Sequence, residues 1–68
     1  MNIFIFSILG TDVKGEHVEA IHYARTINVK RYTKSVIAVF YIDERENRQQ
    51  YVLSKLDRIE IQEEEINE

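Results

Sequence analysis

The sequence predicts an α+β fold: a small β-α-β-β-β domain, with one helix packed on a four-stranded, mainly antiparallel sheet. Three observations carry that expectation. Two short runs, 2–9 (NIFIFSIL) and 35–42 (SVIAVFYI), are rich in β-branched and aromatic residues, which favours strands. Between them the period changes. Ala20, Ile21, Tyr23, Ala24 and Ile27 fall within an arc of about 160° on a helical wheel, opposite Glu19, His22, Arg25 and Thr26. Near the C-terminus, 58–62 (RIEIQ) alternates as a half-buried strand does, with Ile59 and Ile61 inward. The alternative fold is a small all-β barrel, in which residues 18–32 are strand and 53–56 make a 3₁₀ turn.

The elements follow in order. Strand 2–9 is apolar on both faces, Ile3, Ile5 and Leu9 on one and Phe4, Phe6 and Ile8 on the other. Residues 10–15 (GTDVKG) form a connection bounded by two glycines. The helix is expected over 16–27, with Asn28 as a left-handed C-cap. Residues 29–34 (VKRYTK) are a basic connection into strand 35–42, also apolar on both faces. Residues 43–48 (DERENR) form a polar turn bending at Asn47, and 49–53 (QQYVL) return as its hairpin partner. A tight turn at 54–57 leads into 58–62. The domain is expected over 1–62, with 63–68 (EEEINE) a frayed acidic tail. The spacing Leu53-x-x-Leu56-x-x-Ile59-x-Ile61 resembles the end of a small barrel, a pattern of burial that carries no function.

Composition sets the limits. Sixty-eight residues make one small domain, which buries only about 60% of the surface its unfolded chain exposes. There is no Cys, so disulfide staples, thiolate metal sites and Cys nucleophiles are excluded. One helix covers one face of a sheet. The second apolar face therefore predicts a homodimer, built through that face or by edge pairing. The apolar N-terminus has no preceding Lys or Arg and no small-residue cleavage pattern, and it falls far short of the ~20 residues of a membrane span. The expected location is cytoplasmic. Ten Ile against three Ala fit an AT-rich coding genome, such as that of a low-GC bacterium or its phage.

Catalytic chemistry finds no footing. His17 and His22 are five apart, about 140° out of line on a helix, and form no metal pair. Glu19-x-x-His22 has the helical spacing of di-iron carboxylate bundles, but those sites draw on four helices. The loop from Gly10 to Gly15 sits where phosphate loops sit. Gly15 is followed by Glu16 and not by Lys-Ser/Thr, so a Walker pattern fails. Ser7, Ser35 and Ser54 lack any nucleophile-elbow context. The reading is a non-enzyme without cofactor or metal.

Charge is the informative feature. The net charge is −3, but residues 1–34 carry +2 and residues 57–68 carry −5. The acidic set is Asp43, Glu44 and Glu46 in the turn, with Asp57, Glu60, Glu63, Glu64 and Glu65 beyond it. Rows of carboxylates imitate a phosphate backbone to a basic protein. The basic set is Arg25, Lys30, Arg31 and Lys34, with Tyr32 interleaved. Cations with aromatics suit phosphate contact and base stacking, although cations also collect at helix C-termini for dipole reasons alone. The first expectation is a protein-binding module: a homodimeric, phage-type inhibitor or regulator that occupies a host protein's surface, with the acidic set mimicking DNA. The alternatives are a small nucleic-acid-binding regulator using 25–34, and an accessory subunit docked by a sheet edge.

Overall fold

The computed structural model describes residues 2–65. It contains four antiparallel strands: β1 (Asn2–Asp12), β2 (His17–Thr33), β3 (Val36–Asp43) and β4 (Arg48–Glu65). They form a closed up-and-down barrel in the order β1-β2-β3-β4, with β4 pairing back onto β1. The expected helix over 16–27 is absent, and among the described residues there is no helix at all. The α+β expectation is thereby corrected to the all-β alternative.

The two long strands each serve two sheets. Residues 17–24 of β2 pair with β1, and residues 24–33 pair with β3. Residues 48–53 of β4 pair with β3, and residues 53–65 pair with β1. The molecule is thus a β1 sheet and a β3 sheet, facing each other across one core and joined at bends near Ala24 and Leu53. It is elongated, with extents of 41 × 18 × 17 Å.

Bulges make the bends, and they explain the helical period. In β2 the register slips between Ala24 and Thr26. Val18, Ala20, His22 and Ala24 alternate inward before the slip, and Ile27 turns inward after it. The inward set Ala20, Ala24, Ile27 therefore has i, i+4, i+7 spacing although the backbone is extended. Ile21 and Tyr23, assigned above to the apolar helix stripe, point outward and are 72% and 50% exposed. Two further slips in β4, opposite Gly10 and Asp12, turn the expected 54–57 turn into continuous strand. Ser54 fixes this bend: its Oγ–H lies 3.0 Å from the Asp12 carbonyl and 3.3 Å from that of Thr11. Gly10 is required there, because a Cβ would stand 2.4 Å from the Lys55 carbonyl oxygen.

The core is Phe6, Ile8, Ala24, Ile37, Val39, Tyr41 and Leu53, flanked by Val18, Ala20, Ile27, Tyr51, Leu56 and Ile59. Ile59 is half-buried as expected, whereas Ile61, the cross-strand partner of Phe6, is 48% exposed. Two hairpin loops share one design. Asp12 Oδ1 accepts the N–H groups of Lys14 and Glu16, and Asp43 Oδ1 those of Arg45 and Asn47, at 2.8–2.9 Å. The left-handed position falls on Gly15 (φ 85°) in the first loop and on Glu46 (φ 67°) in the second, not on the expected Asn47. The basic segment 29–34 is not a connection, since β2 runs on to Thr33. Glu63–Glu65 continue β4 opposite Phe4, Ile3 and Asn2, and the remainder of the acidic stretch lies outside the described residues. No helix of the described residues is long and apolar enough to cross a membrane.

Candidate nucleic-acid interface

The outer face of the β3 sheet is a three-by-three array fixed by register. Lys30, Ala38 and Val52 form one row, Asn28, Phe40 and Gln50 the next, and Thr26, Ile42 and Arg48 the third. Adjacent strands lie about 4.8 Å apart, so each row spans about 10 Å. Phe40 sits at the centre, half-buried, between two exposed side-chain amides. An open depression of ≈ 520 Å³ runs over this face, lined by Thr26, Asn28, Phe40, Ile42, Arg48 and Gln50. Beyond the first row, Lys30 Nζ lies 5.2 Å from the centre of the Tyr32 ring, and that ring is 54% exposed. The face thus offers two aromatic surfaces, a cation at each end and amides between.

Charge segregates with the sheets. Residues 25–53, which contain the whole β3 sheet beyond the bend, carry six bases and three acids, net +3; the rest of the chain carries net −6. Among the described residues there is no helix to account for the cations by its dipole.

The basic residues singled out from sequence are only partly brought together. Lys30 and Tyr32 stand on the array's side of β2, and Lys34 lies in the adjoining β2–β3 turn. Arg31 is paired with the inward Ile37 and so lies on the opposite side of the strand. Arg25 sits at the β2 bulge, where its Nε donates to the Glu44 carbonyl at 3.4 Å and its Nη1 lies 3.8 Å from Glu46. Phe40, Asn28, Gln50 and Arg48 were missed. Strand 35–42 was read correctly, but which residues flank Phe40 follows only from register.

The acidic residues do not form one row. Asp43, Glu44 and Glu46 sit in the β3–β4 loop, whereas Asp57, Glu60, Glu63, Glu64 and Glu65 lie along β4 in the β1 sheet. Several are engaged locally. Lys55 pairs with Asp57 at 3.3 Å, Arg58 with Glu60 at 3.7 Å, and Asn2 donates to Glu63 at 2.8 Å. Asp43 is a loop clasp. The N–H of Asn47, then Gln49 and Arg45, hold its carboxyl below the ordinary range.

A polar aromatic cluster lies inside the barrel, next to the β3–β4 loop. Phe6, His22, Tyr41 and Tyr51 stack or meet edge-on at centroid distances of 4.9–6.1 Å. His22 Nε2 contacts the Tyr51 hydroxyl, and the Tyr41 and Tyr51 rings stack at 6.1 Å. Burial pushes the pKa of both phenols up; Tyr41 is raised further by Tyr51 and by Asp43. His22 is therefore half-buried and turned toward Phe6, Tyr41 and Tyr51, and is not the polar-face residue a helix implies. His17 is exposed, 3.2 Å from Glu19. Among the described residues no three His, Asp or Glu side chains are placed to hold a metal.

Compared with protein-family models, with curated proteins and with solved structures, the chain matches none of them.

Proposed function

We propose that this protein is a small nucleic-acid-binding regulator that lays a short single strand across the outer face of the β3 sheet. The observation that carries this reading is the array itself: Phe40 between Asn28 and Gln50, with Lys30 and Arg48 at either end, on the positive half of a negative molecule. An aromatic ring on an open sheet face stacks an unpaired base of any sequence. Side-chain amides satisfy base edges, and lysine and arginine neutralise the flanking phosphates. A single strand is favoured over a duplex because stacking on Phe40 and Tyr32 requires splayed bases.

The test is fluorescence anisotropy of labelled dT and rU oligomers of about ten nucleotides, and of a duplex, at about 50 and about 200 mM salt. The single strands are expected to bind and the duplex to bind worse. Phe40→Ala should lose about tenfold in affinity or more, since one base–aromatic stack is worth ~1–3 kcal/mol. Arg48→Ala should weaken all sequences alike and flatten the salt slope by about 0.7. Circular dichroism of each variant separates lost binding from lost fold. Absence of any single-strand binding at the lower salt would overturn the reading, and capture of a basic protein in its place would return the acidic residues of β4 to consideration.

A further inference from the structure

The outer face of the β1 sheet is a different surface. Along β1, Ile3, Ile5, Ser7 and Leu9 point away from the core, where alternation with buried Phe6 and Ile8 puts them. Their cross-strand neighbours on β2 are Tyr23 beside Ile5, Ile21 beside Ser7 and Glu19 beside Leu9. On β4 the neighbours are Glu64 beside Ile3, Gln62 beside Ile5, Glu60 beside Ser7 and Arg58 beside Leu9. An apolar strip is therefore bordered by a charged row. The most exposed large apolar side chain, Ile21 at 72%, stands next to the smallest, Ser7. A recess of ≈ 170 Å³ opens on one side of Ile21, over Ser7, Leu9 and Arg58, and another of ≈ 330 Å³ on the other, over Ile5, Ser7 and Gln62.

We propose that this face is the interface of a two-fold homodimer, packed sheet on sheet with the two β1 strands antiparallel. An isologous interface needs one patch that is complementary to itself. Here the knob, Ile21, and the hollows over Ser7 lie on the same patch. Charge selects the orientation. With the axis across the strands, β4 lies over β4, and Arg58 at one end of the row meets Glu64 of the second copy at the other. The same rotation sets Ile21 over Tyr23 of the second copy and Ser7 over its Ile5, so that Ile21 packs at the margin of the hollow over Ile5 and Ser7. With the axis along the strands, Ile21 would instead face Glu60 of the second copy, a poor contact. The antiparallel arrangement buries the apolar strip of β1 and leaves both β3 sheets outward. The interface does not use the candidate nucleic-acid face, so the two proposals stand or fall separately.

Sedimentation equilibrium tests it. At about 50 μM the wild-type protein should run at twice the 8.1 kDa chain mass. Ile21→Glu should run as a monomer with an unchanged circular dichroism spectrum, because that side chain is already exposed. Arg58→Glu should weaken the dimer about tenfold by setting like charges face to face, and adding Glu64→Arg should restore it. A monomeric wild type, or a dimer that survives Ile21→Glu, would overturn the interface. Failure of the double variant to recover would overturn the antiparallel register.

Discussion

The outer faces of the β1 and β3 sheets are both centred on an apolar strand, yet their neighbours differ. Around β1 stand Ile21, Tyr23 and a row containing Glu60, Gln62 and Glu64, on the half of the chain with net −6. Around β3 stand Thr26, Asn28, Lys30, Arg48 and Gln50, on the half with net +3. Total charge is therefore a poor guide to such a chain. One barrel wall carries the charge of an acidic protein and the other that of a basic one, and the bends at Ala24 and Leu53 separate them.

The two sheets share one buried side chain at their junction, and removing it should have the greatest effect. Leu53 is fully buried and is paired with Asp12 of one sheet and Ile37 of the other. Leu53→Ala should cost about 2–5 kcal/mol. Because the residue is common to both sheets, amide exchange should accelerate in β1 and β3 alike. Exchange confined to one sheet would mean that they fold as separate units.

A smaller effect sharpens the role of the aromatic cluster, in which Phe6 and His22 belong to the β1 sheet and Tyr41 and Tyr51 to the β3 sheet. Both phenols have pKa values raised above the ordinary 10.0, chiefly by burial. A raised folded-state value means the protonated form is favoured by folding. That stabilisation is complete below the unfolded pKa and is lost as pH rises through the folded one. Thermal melts should therefore show a falling midpoint above about pH 10, and Tyr41→Phe should blunt the fall. A midpoint flat through that range would remove the cluster from the stability account.

The smallest effect compares the two loops. Gly15 and Glu46 occupy the same left-handed position of the same Asp-clasped turn. Glu46→Gly should raise stability by up to about 1 kcal/mol, and Gly15→Ala should lower it by about as much. Equal and opposite shifts in denaturant midpoint would establish that the loops are equivalent.

The sequence pointed to the wrong fold class although two strands were legible in it, and the failure at β2 has a physical cause. Strands β1 and β3 announced themselves by dense β-branched and aromatic runs. In β2 the inward positions of a narrow barrel are small or polar, Val18, Ala20, His22 and Ala24, while the large Ile21 and Tyr23 face out. Hydrophobicity alone therefore pointed to the wrong face, and the bulge after Ala24 supplied a false helical spacing. The same device in β4 gave the three-residue spacing of Leu53, Leu56 and Ile59, read as a barrel-end pattern but interrupted by an expected turn. Of the candidate site, Lys30 and Tyr32 were visible because charge and aromaticity are local. Phe40 between Asn28 and Gln50 was not, because cross-strand neighbours are set by register, and register was set by bulges that no local motif announced.

That the two outer faces have different partners is tested most directly by nitrogen–proton correlation spectra of the labelled protein, titrated with a dT oligomer of about ten nucleotides. Shifts are expected at Asn28, Lys30, Phe40, Arg48 and Gln50, with Ser7, Ile21 and Glu60 unmoved. Shifts concentrated on the β1 sheet, or spread over both sheets equally, would contradict it.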